Sequence, residues 1–165
     1  MIAVKCPEVK EFMNHLLRLD TFDAFELVEA TVMKDYTVTL DGKLNREYYT
    51  EEERQERGLS EAQYIPYGDL RPVLFEHIKG KRTPLLMKLT LSMPKEKALG
   101  LLRGENFSQE SQISQYLLQI RYDGNGLYVT TGVNYTTFSM EKNLEHEWDH
   151  YVPEFLKSQG IYSEG

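Results

Sequence analysis

The chain has one cysteine, Cys6, so no internal disulfide can form, and a reducing compartment is expected. No run approaches the roughly 18 apolar residues of a membrane span. The opening Met1-Ile2-Ala3-Val4-Lys5 lacks the apolar stretch of a secretory signal, and these absences together predict a cytoplasmic protein. Positive charge is also scarce: 19 Lys and Arg stand against 26 Asp and Glu, a formal charge of −7. That balance, with a pI near 5.2, favours solubility and opposes general attraction to DNA, RNA or anionic lipid. Gly100, Gly104 and Gly132 form no phosphate-loop pattern. Asp123-Gly124-Asn125-Gly126 offers too few oxygen ligands for calcium and reads as a hairpin turn. No Ser-His-Asp or Cys-His order stands out.

What is present fits one domain over residues 1–165, long enough to bury a core unaided. Hydrophobic residues make up 41%, which argues against extended disorder. Residues 1–5 read as a strand, and Pro7 opens a helix with Val9, Phe12, Met13, Leu16 and Leu17 on one stripe. His15 falls off the centre of that stripe and reads as a surface residue. Cys6, beside Pro7, reads as a small half-buried residue, though a helix start can lower a thiol pKa. Two strands follow, over 27–32 and 36–40, with Lys34-Asp35 joining them and Asp41-Gly42 turning the chain. Leu44 to Tyr49 reads as a returning strand.

Thr50 to Gly58 is strongly charged and reads as a turn or two of helix, with Thr50 and Glu53 as a capping box. Residues 59–66 read as loop, and 50–66 as a mobile, inserted excursion. Tyr48, Tyr49, Tyr64 and Tyr67 bracket it, either as anchors for a partner or as rings closing it onto the sheet. Asp69 reads as the cap of a helix carrying Leu70, Val73, Leu74 and Ile78, closed by Gly80. His77 lies on that face and reads as a packed, hydrogen-bonded residue. Lys79-Gly80-Lys81-Arg82, the only basic run, suits a helix C-terminus better than a phosphate site. The clearest strand spans 85–93, and Pro94 starts a short helix ended by Gly104. Residues 105–114 read as loop. Strands over 116–122 and 127–131 form a hairpin, a further strand runs 135–140, and Asn143 starts the last helix.

His146-Glu147-Trp148-Asp149-His150 spells HExxH, the pattern in which two histidines one helical turn apart hold Zn²⁺ and the glutamate activates its water. At about 100° per residue, however, Leu144, Trp148, Tyr151, Val152, Phe155 and Leu156 form the buried stripe. His146 and His150 then point away from it, toward solvent. Asp149 is charged where such motifs favour uncharged residues, and Pro153 follows at once. Only 15 residues follow His150, and Glu154, one turn along the same helix, is a poor third ligand. His77 or Glu76 remains as an upstream ligand. The sequence therefore assigns no catalytic residue, no metal ligand and no cofactor. Zinc on His146 and His150, with Glu147 as base, is the alternative.

Three segments, FELVEATVMKDYTVTLDGKLN (25–45), IKGKRTPLLMKLTLSM (78–93) and TTGVNYTTFSMEKNLEHEWD (130–149), resemble those of a family of small uncharacterised cytosolic proteins from anaerobic Gram-positive bacteria. That resemblance brings no activity with it. The order of elements is also similar to one domain of the sliding clamps that encircle DNA, a likeness implying fold alone. The expected fold is α+β: a mostly antiparallel sheet with helices packed on one face. The expected function is a non-catalytic binding or protein-interaction domain, with an unknown protein partner or self-association through the 50–66 excursion or a sheet edge. A zinc-dependent hydrolase is the alternative, and a clamp-like nucleic-acid accessory factor comes third. Nucleic acid is not the expected partner, nor is a membrane.

Overall fold

The computed structural model describes residues 1–101, 113–136 and 143–165. The chain order is β1 (Ala3–Lys5), α1 (Val9–Leu17), β2 (Glu26–Met33), β3 (Thr37–Asp41), α2 (Glu51–Glu56), β4 (Ile65–Pro66), α3 (Tyr67–Ile78), β5 (Leu86–Met93), α4 (Lys95–Leu101), β6 (Ile113–Asp123), β7 (Gly126–Tyr135) and α5 (Asn143–Ser158). The strands form one antiparallel sheet in the order β1-β7-β6-β5-β2-β3, with β4 beside the start of β2. This is the expected α+β fold.

Alternation decides which face is wet. Met87, Leu89 and Leu91 of β5 and Tyr116, Leu118 and Ile120 of β6 are buried on one face, while Lys88, Thr90 and Gln119 sit half-exposed on the other. On β2 the apolar face changes parity, with Leu27, Ala30 and Val32 all buried. A register shift between Leu27 and Glu29 explains it, since one extra residue rotates the strand by one side chain. That bulge is why the sequence looks apolar on both faces there. Three helices supply the same core: Phe12 and Leu16 from α1, Tyr67 and Leu74 from α3, and Trp148 and Leu156 from α5.

Several expectations change. The segment 44–49 is no strand: Arg46–Tyr48 forms a single 3-10 turn, and Arg54 donates to the Arg46 and Tyr49 carbonyls at its two ends. The helix expected from Asp69 begins at Tyr67, whose ring is fully buried and whose hydroxyl donates to the Leu16 carbonyl at 2.8 Å. No break occurs at Gly132, because β7 runs on to Tyr135 against β6. His15, expected at the surface, is 9% exposed and 2.7 Å from the Thr21 hydroxyl. The loop after α1 folds back over it, a contact that helical periodicity cannot reveal. The helix end at Gly104, most of the 105–114 loop and most of the 135–140 strand lie outside the described residues.

Candidate functional site

The HExxH helix is set by its inner stripe. Leu144, Trp148, Val152 and Leu156 are all under 5% exposed, and the Trp148 indole donates to the Leu117 carbonyl at 2.8 Å. The Trp148, Tyr151 and Phe155 rings stack in series along the helix, at 5.6 and 6.1 Å. With that stripe inside, His146 and His150 are exposed. The helix continues through Pro153 to Ser158.

Asp149, the charged residue inside the motif, holds the structure together. It accepts from the buried Thr131 hydroxyl at 2.5 Å and pairs with the Met1 ammonium at 2.8 Å. Glu145 meets the same ammonium at 3.2 Å and accepts from the Tyr135 hydroxyl at 2.7 Å. The hydrogen bond to Asp149 is the main reason the Met1 ammonium pKa lies above its ordinary value. Glu147 is half-buried, and its Oε2 is fully enclosed without a hydrogen-bond partner among the described residues. Among the described residues, no three His, Cys, Asp or Glu side chains are arranged to hold a metal ion. His77 lies against Tyr36, with Nδ1 3.4 Å from the hydroxyl, and Glu76 pairs with Lys79 at 2.9 Å.

The excursion after β3 has its own framework. It departs at Gly42, where a Cβ would sit 1.8 Å from the Leu27 carbonyl oxygen, so only glycine fits. The capping box forms as expected: Thr50 Oγ accepts from the Glu53 amide at 3.2 Å, and Glu53 accepts from the Thr50 amide at 3.3 Å. Arg54 donates to the Tyr49 carbonyl at 2.8 Å, and the Arg57 guanidinium lies 4.4 Å from the Tyr49 ring centre. Leu59 is buried, and the return is fixed by backbone bonds from Leu44 to Gln63 (3.0 Å) and Ile65 to Gly42 (2.8 Å). Of the four bracketing tyrosines, Tyr67 is core, Tyr49 and Tyr64 are half-buried, and Tyr48 is 80% exposed.

Between the excursion, the start of β2 and α4 lies an open cleft of about 600 Å³, which sequence reasoning missed. Glu26 and Lys97 line it, as do Tyr64 and Gln115, whose side chains are bonded at 3.1 Å. Burial pushes the Glu26 carboxyl pKa up, against the opposing charge of Lys97. These residues are far apart in sequence, and the only local signal is an acid at the head of an apolar strand. Burial likewise pushes the Cys6 thiol up to about 11, the opposite of the lowering that a helix start can cause; the residue is fully enclosed rather than half-buried as expected. The basic run 79–82 is exposed at the end of α3.

The two edges of the sheet differ most. β1 is three residues long, and its outer side is sealed by Glu164: Lys5 and Glu164 exchange two backbone bonds of 2.7 Å. β3 has five residues, none of them Pro, Gly, Lys or Arg. Backbone bonds from Lys34 to the Tyr36 carbonyl (2.7 Å) and from Gly42 to the Val28 carbonyl (2.9 Å) fix its phase. Tyr36, Val38, Leu40 and Gly42 therefore turn their polar backbone groups toward β2, and Thr37, Thr39 and Asp41 turn theirs outward. Among the described residues, nothing pairs with that outer side.

No helix among the described residues is long and apolar enough to cross a membrane. No curated protein and no solved structure matches the chain. A family model does match, over residues 15–164, and the chain belongs to that family, a family of unknown function (DUF5721).

Proposed function

We propose that this protein is a non-catalytic interaction domain that takes up an extended segment of a protein partner along the outer side of β3. The observation that carries the reading is the contrast between the edges. A sheet edge offers a row of unpaired amides and carbonyls, and proteins ordinarily blunt it with charge, proline, a bulge or a covering segment. β1 is short and covered, whereas β3 carries none of these devices along its length except Asp41 at its end. The exposed Tyr36 and Tyr48, one on each side of β3 in the chain, supply aromatic anchors of the kind that dominate interfaces.

The zinc-hydrolase alternative rests on the spacing of His146, Glu147 and His150, and the described residues offer no third ligand. The clamp-like reading calls for basic outward helix faces, and the exposed side of α5 carries His146, His150, Glu154 and Lys157.

Thr39→Pro is the decisive variant. The lost N–H points away from β2, so the ladder stays intact and stability falls by no more than about 1 kcal/mol. Partner recovery from native lysate should be lost in Thr39→Pro and retained in Thr31→Ala, a change on the solvent face of β2. Equal recovery with wild type and Thr39→Pro sinks the edge as the docking surface.

A further inference from the structure

We infer that the strand received by β3 is β3 of a second copy, paired antiparallel about a two-fold axis through Thr39. The inference rests on the edge reading above and names its occupant. Because Thr37, Thr39 and Asp41 aim their backbone groups outward, a register centred on Thr39 places Thr39 opposite Thr39 and Thr37 opposite Asp41. All three are then hydrogen-bonded pairs. That gives about six inter-chain bonds, two from each of three pairs, with no outward group of the strand left over.

The side chains agree with the same register. Val38 and Leu40 lie on the core face, opposite Val32 and Ala30 of β2, and are half-buried. Across the axis, Val38 of each copy meets Leu40 of the other, extending the core face of one sheet into the next. Above that seam, Tyr36 is 50% exposed beside His77 of α3, and Val73, one turn earlier on α3, is 41% exposed. A second copy covers both. On the other face Thr39 pairs with Thr39 and Thr37 with Asp41, combinations that favour cross-strand contact. Beyond the strand ends the same count brings Asp35 of each copy toward Lys43 of the other, an opposite-charge pair repeated twice by the symmetry. A shift by one residue would set Val38 opposite Thr39 or Asp41 and lose every one of these pairings. The segment is thus self-complementary in backbone phase, apolar match and charge, as an isologous interface requires.

Cysteine placement tests this directly, since Cys6 is fully buried and leaves the native surface without a competing thiol. A hydrogen-bonded antiparallel pair sets its Cα atoms about 5.5 Å apart, within disulfide range. Thr39→Cys alone should form a covalent dimer under mild oxidation. Thr37→Cys alone should not, whereas a mixture of Thr37→Cys and Asp41→Cys should. In sedimentation, the wild type should show a concentration-dependent dimer, and Thr39→Pro, with its circular dichroism unchanged, should weaken it by about 100-fold. A wild type that stays monomeric while Thr39→Cys fails to cross-link overturns the self-pairing. If Thr39→Pro nevertheless abolishes capture of a different protein, the edge reading survives with another occupant. A dimer that persists in Thr39→Pro, or cross-links equally at all three positions, also overturns the inference.

Discussion

The inner and outer faces of α5 occupy the same sixteen residues and obey different constraints. The inner face holds a fully buried tryptophan, a ring stack and a hydrogen bond to β6, so each side chain there has one position it can take. The outer face holds the two histidines that make the helix look like a metal centre, and they are open to solvent. Between the faces, Asp149 and Glu147 form a boundary: one is fully engaged, the other carries an oxygen that no described residue meets. A motif of fixed spacing identifies chemistry only when the fold turns that spacing toward a cavity, and here the stripe of large apolar residues decides the rotation.

The largest break in the comparison comes from the inside. Trp148→Ala removes a side chain with no exposed surface and should cost about 3–5 kcal/mol, read as a lowered denaturation midpoint. Trp148→Phe keeps a ring but loses the donor to Leu117, and should cost about 1–2 kcal/mol. If either left the midpoint unmoved, the inner face would not be the one that anchors the helix.

Next is the boundary. Asp149→Ala strips one partner from the buried Thr131 hydroxyl and one from the Met1 ammonium, and should cost about 1–3 kcal/mol. Thr131→Val should cost less, and the double variant should fall short of the sum, since both changes delete one shared bond. Additive costs would mean that the two side chains act separately. The ammonium pKa is raised in the fold, so its share of stability is present below its unfolded value and fades as pH rises through the folded one. In Asp149→Ala that loss on the alkaline side should shrink.

Glu147 supplies a smaller effect of opposite sign. Its enclosed Oε2 has no hydrogen-bond partner among the described residues, and an unmet buried acceptor opposes folding. Glu147→Leu should therefore leave stability unchanged or raise it by up to about 1 kcal/mol in equilibrium unfolding. A clear loss would reveal a contact that gives this carboxylate a structural task.

How much of this was legible follows from what is local. The stripes of α1 and α5, the alternation of β5 and the capping box at Thr50 and Glu53 depend on neighbours a few residues away, and they stand where the sequence places them. His15 did not, because Thr21 reaches it through a loop. The start of α3 did not, because Tyr67 is pulled inward by the distant Leu16 carbonyl. The β3 edge was the least visible. Alternation within Thr37–Asp41 would look the same in the middle of a sheet, and its position follows only from β1 joining β7, more than a hundred residues away in the chain.

The smallest expected effect bears on the most conspicuous motif. Replacing His146 and His150 together by alanine changes two exposed positions on a helix held from its other side, so stability should shift by less than about 0.5 kcal/mol. Chelation should discriminate more sharply than mutation. A metal built into the fold adds its binding free energy to folding, so its removal would lower the unfolding midpoint steeply. Two exposed histidines at i and i+4 instead bind divalent metal weakly, and dialysis against a chelator should leave both the wild type and the double variant unmoved. Stoichiometric zinc that survives dialysis in the wild type and disappears in His146→Ala would make the outer face the functional one, and the order of effects along α5 would reverse.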